Sequence, residues 1–521
     1  MIWALICLAT FVPSYPPSDA DTLVVCPLEF REAMKPWVAY RQKQGYKIAF
    51  LKPTSTGPGL RAQIKQFADS SPLKNVVLVG DAVDVNVPAS RLVPTDFLTA
   101  KVNVKFGSEP EIATDHFYAD LDGDGIVDLN LGRIPVDTVQ ELTGYIKRVI
   151  SYESNANQGA WQRRINFIAG VGGFGQMLDK MIEQSVKKII TDLIPSPFNV
   201  SMTYGSWRSP YCPDPRKFAS TAISKFNEGC LFWIYVGHGS RQRLDRLRLP
   251  DRQYEILNNN TAGQMRSTSG PPIAIFLSCY TAAIDAASDG LAEILLKQDQ
   301  GPIATISSSR VSMPYAMGIF SLEMLDGYFD GEVTTLGELV KVSKQKLVEF
   351  DASKSQYHQL LHSMGRAFSP TPELLKEERV EHVHLMHLLG DPLIQLKRPN
   401  ELKLQAPANA APGQRITVTG NAERAGQLRI DLAYRRDRFR TRPPRRKNYE
   451  ATQASFSNYQ DVYDKVQKLI CSSQTVNVPS GEFTVQLKVP GDCSGDCHVR
   501  GELKSEGYFA LGSSDLTIQQ E

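Results

Sequence analysis

The chain has 521 residues, 42% hydrophobic and 22% charged, which exceeds one ordinary core and predicts two to four domains without wholesale disorder. Lys plus Arg number 58 against 56 for Asp plus Glu, a net charge of +2, so no global bias directs the protein to nucleic acid or to a membrane surface. No run reaches the ~20 apolar residues that a membrane-spanning helix needs.

Ile2 to Val12 is apolar apart from Thr10, and Ser18 and Ala20 stand where a cleavage before Asp21 would want small residues. Residues 1–20 therefore read as a signal peptide, and the mature protein is expected to be secreted, at the cell surface or in the periplasm. No Lys or Arg precedes Arg31, so a buried first strand remains the alternative. Cys26, Cys212, Cys230, Cys471, Cys493 and Cys497 then permit disulfides without dictating their pairing, with Cys279 set aside as a working thiol. Cys493 and Cys497 suit a disulfide to Cys471, or inert thiols, better than a metal clip.

From Leu23 onward short β-branched runs (TLVV, YKIAFL, NVVLVGD) alternate with helical patterns (EFREAMKPWVAYRQKQG, LRAQIKQFADS). This rhythm predicts right-handed βαβ units and a parallel sheet. It pauses at an Asp-rich loop, Asp115 to Asp128, and resumes with a helix from about Asp137 to Glu153. A second series follows: RINFIAG, a helix from about Gln176 to Ile194, VSMTYG, a helix around Pro215 to Asn227, CLFWIYVG, PPIAIFLSC, DGLAEILLK and GPIATISSSR. Its apolar runs lack alternation, as strands covered on both faces do. Helical patterns near Tyr315–Tyr328 and Leu336–Phe350 precede a strand-like run, HVHLMHLLGDPLIQL. After about Pro399 the segments become short, alternating and punctuated by Gly and Pro, which predicts a β-sandwich of about 120 residues.

Two of the apolar runs end on reactive residues: LFWIYVG leads into His238-Gly239-Ser240, and IAIFLS into Cys279. In an open parallel sheet the loops beyond the carboxyl ends of the strands form the ligand crevice, so both residues face it if their strands are neighbours. A thiolate is the effective nucleophile, and a nearby imidazole favours it and can protonate a leaving amine. Glycine at 239 permits close backbone approach, so the amides of Gly239 and Cys279 could hold a developing oxyanion.

The segments YVGHGS and FLSCYTA, with YADLDGDGIVDLNLGRIPVDT upstream and HLLGDPLIQL downstream, resemble the catalytic domain of gingipain-type cysteine peptidases over roughly Asp21 to Pro399. The resemblance implies a caspase-like α/β/α fold of two subdomains (21–155 and 156–399), followed here by an immunoglobulin-like β-sandwich (400–521). It also implies a Cys279–His238 dyad, peptide or protein substrates and no required cofactor. An acid just before Gly-Arg, which falls on Asp128, is expected to orient the imidazole.

Asp128 has a competing role. Asp120, Asp122, Asp124 and Asp128 carry oxygen donors at calcium-loop spacing around Gly125, although Leu131 stands where an EF-hand needs Glu, so a partial calcium site and a solvated turn both fit. Asp137 fits either a pocket acid for a basic substrate residue or a helix N-cap. Gly170 to Gly175 is spaced like a dinucleotide fingerprint, but no acid closes the next strand, so a tight turn is preferred. His382, His384 and His387 read as structural histidines on one strand rather than a metal cluster. Arg435 to Lys447 holds eight basic residues and fits a solvated loop or an anionic surface contact.

The reading is an exported cysteine endopeptidase. Alternatives are a transpeptidase or signal-removing enzyme like the gingipain-related component of a type IX secretion system, a non-catalytic adhesion protein on a peptidase scaffold, and a nucleotide-dependent oxidoreductase.

Overall fold

The computed structural model describes residues 18–154, 158–171, 173 and 176–519, with the backbone alone at 176–182. The apolar leader over residues 1–17, and Gly172, Phe174 and Gly175 of the glycine-rich turn, lie outside the described residues.

The chain enters on a fully buried strand, β1 (Thr22–Val25), and continues through α1 (Arg31–Lys43), β2 (Ile48–Leu51), α2 (Gly57–Ala68) and β3 (Asn75–Val79). Helix α2 begins where Thr56 accepts the Gly59 N–H and Pro58 occupies the first turn, both ordinary helix-start devices. A hairpin that the hydrophobic pattern does not announce, β4 (Asp96–Thr99) with β5 (Glu111–Thr114), precedes β6 (Asn130–Ile134) and α3 (Val139–Glu153). The second series is β7 (Arg164–Ala169), α4 (Gln176–Leu193), β8 (Asn199–Tyr204), α5 (Phe218–Asn227) and β9 (Phe232–Val236). Two small hairpins follow, β10 (Gly239–Ser240) with β11 (Arg243–Leu244) and β12 (Arg246–Arg248) with β13 (Gln253–Glu255). Then come α6 (Asn259–Ala262), β14 (Ile273–Leu277), α7 (Leu291–Lys297) and β15 (Ala304–Ser308). Helices α8 (Pro314–Asp330), α9 (Leu336–Val348), α10 (Gln356–Phe368) and α11 (Leu375–Leu385) lead to β16 (Met386–Leu389).

Ten strands form one sheet in the order β2-β1-β3-β6-β16-β15-β14-β9-β7-β8. Strand β16 is antiparallel to β15 and parallel to β6, so β2, β1, β3, β6 and β16 run opposite to the other five. The sheet is therefore mixed with a parallel majority of pairings. One consequence matters for the site: the amino end of β6 shares an edge with the carboxyl ends of β9, β14 and β15. The core is continuous across residue 155, since Val24, Trp37 and Val77 pack in one cluster with Phe232, Ile275 and Leu389.

The run HVHLMHLL corrects a sequence expectation. His382 and His384 sit in the last turn of α11, and only His387 is on a strand. Every residue from Glu381 to Leu389 is buried, so no polar face marks the helical period. Beyond it, Asp391 locks the two halves together: its carboxylate accepts Trp37 Nε1 at 2.6 Å and Arg41 Nη2 at 2.6 Å, and Arg41 also pairs with Glu153 at 2.9 Å.

After Pro399 the alternating segments build a six-stranded and a three-stranded sheet around a shared core of Ile416, Val418, Leu428, Phe483 and Val499. The tail is not purely β. Helix α12 (Gln453–Gln467) interrupts it and covers the sheet edge at β8, where the Gln467 side-chain amide exchanges hydrogen bonds with the Met202 backbone and Tyr463 Oη meets Thr203 Oγ1 at 2.8 Å. The preceding basic run is a largely exposed loop, pinned to the catalytic region at Arg436 and Arg446. Arg435, Arg438 and Arg440 pair with Asp437, Asp496 and Asp492, while Arg436 donates to the Pro195 and Phe198 carbonyls beyond α4 and Arg446 to Ser209 O. Deeper in the same junction Arg163 pairs with Asp431 at 3.3 Å and Glu502 at 2.7 Å.

Candidate active site

Strands β9 and β14 are direct neighbours in parallel register, with Val236 opposite Leu277. His238 and Cys279 each lie two residues beyond that pair, so they leave the sheet side by side, on strands about 4.8 Å apart. His238 is exposed and Cys279 half-buried. The Cys279 thiol rests against Ser312, whose N–H approaches Sγ at 3.4 Å and whose carbonyl lies 3.7 Å away. Ser312 is held by its neighbour: the Met313 N–H donates to His382 Nε2 at 2.7 Å, and His382 Nδ1 donates to Glu378 O at 2.6 Å. Burial keeps that imidazole neutral, its pKa lowered to about 4. His382 thus supports the wall behind the thiol.

The backbone around Cys279 suits an oxyanion. The Cys279 N–H makes no hydrogen bond among the described residues, whereas the Tyr280 N–H is taken by Arg310 O at 3.1 Å. At Gly239 a Cβ would lie 2.8 Å from Cys279 O and 2.9 Å from both Ser278 Cβ and Oγ, so only glycine lets the two turns approach this closely. Cys26, Cys212 and Cys230 are buried where Cys279 is partly exposed, and burial pushes those three thiols up to about 12. No disulfide forms among the described cysteines, and Cys471 lies within hydrogen-bonding reach of both Cys493 and Cys497.

Asp128 stands apart from the dyad. It lies at the same sheet edge, but β6 is four strand positions from β9, about 19 Å at the usual spacing, and its Oδ2 accepts the Leu121 N–H at 2.8 Å. This placement lends no support to the expectation that it orients His238. Nor does it join the acids beside it: Asp120, Asp122 and Asp124 bring carboxylate oxygens within 4.8 Å of one another without Asp128. Those three could hold a divalent cation. A second such cluster, Asp81, Asp84, Asp137 and Asp289, escaped the sequence reading because its members come from three separate segments. Lys297 reaches into it, 2.6 Å from Asp137 and 2.5 Å from Asp289, and burial raises Asp81 to about 7 against the pull of that ammonium. Asp137 is therefore bound by Lys297, and the N-cap of α3 is Thr138 with Glu141 in a capping box.

The other recognised segments are structural. Arg133 is buried and grips Asp115 through two 2.7 Å hydrogen bonds, while donating to Gly80 O and Val93 O. His387 Nε2 meets Ala113 O at 3.1 Å, and no metal cluster among the described residues includes His382, His384 or His387.

The family model for peptidase family C25 matches residues 15–397, nearly three-quarters of the chain. The chain belongs to peptidase family C25. Within this family of gingipain-type cysteine peptidases it is similar to Lys-gingipain of Porphyromonas gingivalis, 24% identical over 300 residues that make up 55% of this chain and 15% of that protein. Lys-gingipain HG66 of the same organism is 23% identical over the same extent. The chain thus spans only a small part of the length of the curated relatives it matches. Among solved structures, the complex of Porphyromonas gingivalis RgpB pro- and mature domains aligns with a TM-score of 0.54 at 15% identity, covering 96% of this chain and 100% of that one. The Arg-specific cysteine proteinase gingipain R aligns with a TM-score of 0.53 at 15% identity, covering 97% and 100%. These likenesses establish the fold. No described helix is long and apolar enough to cross a membrane.

Proposed function

We propose that this C25 member is an exported cysteine endopeptidase that cleaves peptide bonds through a thioester on Cys279. The observation that carries the reading is the register of β9 and β14, which delivers one imidazole and the partly exposed thiol to adjacent positions on one sheet edge. The thiolate attacks the scissile carbonyl, and the oxyanion is met by the amides of Cys279 and Gly239. His238 gives its proton to the leaving amine as the tetrahedral adduct collapses to the thioester. It then draws a proton from water, which attacks the thioester and frees the acid and the thiol. All of these steps use side chains and backbone of this chain.

Digestion of a positional peptide library by the parent, Cys279→Ala and His238→Ala proteins tests the assignment. Cleavage by the parent and its loss in both variants is the expected result. Cleavage that survives Cys279→Ala would remove the reading. An added amine acceptor in the same digest reports transfer as a distinct product.

A further inference from the structure

Tyr280, directly after Cys279, is the only non-glycine among the described residues with a left-handed backbone, φ 61°. That conformation crowds Cβ against the following carbonyl and is disfavoured by roughly ten-fold for a residue with a side chain. It persists only where the surroundings impose it. Here they do so from both ends. The backbone is docked on β15, with Tyr280 N–H on Arg310 O at 3.1 Å and Ala282 N–H on Ser308 O at 3.0 Å. The phenol donates to Glu109 Oε2 at 2.6 Å, and Ser108 Oγ lies 3.3 Å from the same oxygen of Tyr280.

Glu109 is the node of this arrangement. Arg241, three residues after the dyad histidine, donates to its Oε1 at 3.0 Å and lies 5.8 Å from the centre of the Tyr280 ring. Arg310 Nε is 3.6 Å from Oε2. One carboxylate therefore joins the loop before β5, the nucleophile turn, the loop after His238 and the end of β15. Partial burial opposes its charge, but the Tyr280 hydroxyl and the two guanidinium groups hold it below the ordinary glutamate range.

We propose that Tyr280 is a positioning residue, its phenol anchored on Glu109 so that the left-handed turn aims the Cys279 thiol and amide at the substrate carbonyl. The turnover part of this inference rests on the peptidase reading. The residue itself touches neither substrate nor the transferred proton and acts through Cys279.

The test compares the parent with Tyr280→Phe, Tyr280→Ala and Tyr280→Gly in kcat, KM and the rate at which iodoacetamide alkylates Cys279, located by peptide mass mapping. Loss of the hydroxyl alone is expected to lower kcat at least about ten-fold with KM nearly unchanged, the worth of one charge-assisted hydrogen bond. Alanine, which keeps the strained backbone and loses the anchor, is expected to fall furthest. Glycine takes a left-handed backbone without penalty and should recover at least about three-fold over alanine in both kcat and alkylation. A purely structural role gives the same order in the thermal melt, because glycine relieves the left-handed strain there too, but leaves the alkylation rate of the folded protein equal in all three variants. Glycine no better than alanine in either readout overturns the proposal. A parent that alkylates but cleaves no peptide removes the peptidase reading, and the alkylation order still decides the role of Tyr280.

Discussion

Val236 faces Leu277 across a parallel ladder, and that single pairing sets where His238 and Cys279 emerge. The backbone beyond the pair is packed as tightly as the ladder itself. Gly239→Ala would put a methyl group 2.8 Å from Cys279 O and force the two turns apart. We expect kcat/KM for peptide cleavage to fall by at least about 10² while the thermal melt of the domain is little changed. Steady-state kinetics beside a circular-dichroism melt checks both halves of that expectation.

Lys344 is buried against a cavity of about 20 Å³, room for one water, lined also by Asp115, His116, Arg133 and His387. Burial lowers its pKa to about 7, with Asp115 pulling the other way. A lysine depressed on folding binds fewer protons in the native than in the unfolded state between pH 7 and its unfolded value near 10.4, so stability rises with pH across that window and is lost as pH falls through 7. Lys344→Met is expected to raise the midpoint of thermal unfolding at pH 6 by a few degrees and to flatten its pH dependence between pH 7 and 10. An unchanged slope would show that Lys344 does not titrate there.

Arg163 carries the junction to the tail by pairing with Asp431 and Glu502. It also donates to Pro197 O at 2.8 Å, so its loss leaves buried acceptors on both sides. Arg163→Ala should cost about 3–5 kcal/mol at the interface. In calorimetry we expect the β unit to melt ahead of the catalytic region, giving two transitions. A single transition at the parent temperature would contradict this.

The three acids Asp120, Asp122 and Asp124 spend their oxygens on backbone N–H groups of their own loop, Gly123, Gly125 and Ile126 among them, which pre-forms the turn. We propose that this loop takes Ca²⁺. Millimolar Ca²⁺ is expected to raise the unfolding midpoint, since a ligand at about 100 times its Kd adds about 2.7 kcal/mol. The combined Asp120→Asn and Asp122→Asn substitution should abolish the shift. A shift that survives this substitution would contradict the assignment to this loop.

Much of this was legible before any coordinates. Short β-branched runs marked β1 and β3 and apolar runs without alternation marked β7, β9, β14 and β15, and the two strands that lead into His238 and Cys279 are neighbours. Strand order was not legible. Nothing local to Met386–Leu389 tells that it inserts between β6 and β15, and it is this insertion that carries Asp128 four strand positions from His238. Periodicity failed at α11 for a related reason, since a helix buried on every side shows no polar face. Helix α12 was missed among strands because its role is to cover the edge of β8, a requirement set by tertiary contacts. The Gly-Arg and Gly-Asp-Pro segments that carried the resemblance hold the frame: Arg133 on Asp115, and Asp391 on Arg41 and Trp37.

The central claim is that Cys279 is a nucleophile working with His238. Its most direct test is to treat the folded protein with a peptidyl acyloxymethyl ketone, which alkylates an active-site thiol, and to locate the adduct by peptide mass mapping. The account predicts one adduct, on Cys279, formed at least about 10²-fold faster than in His238→Ala. Labelling that spares Cys279, or that proceeds equally well without His238, would contradict it.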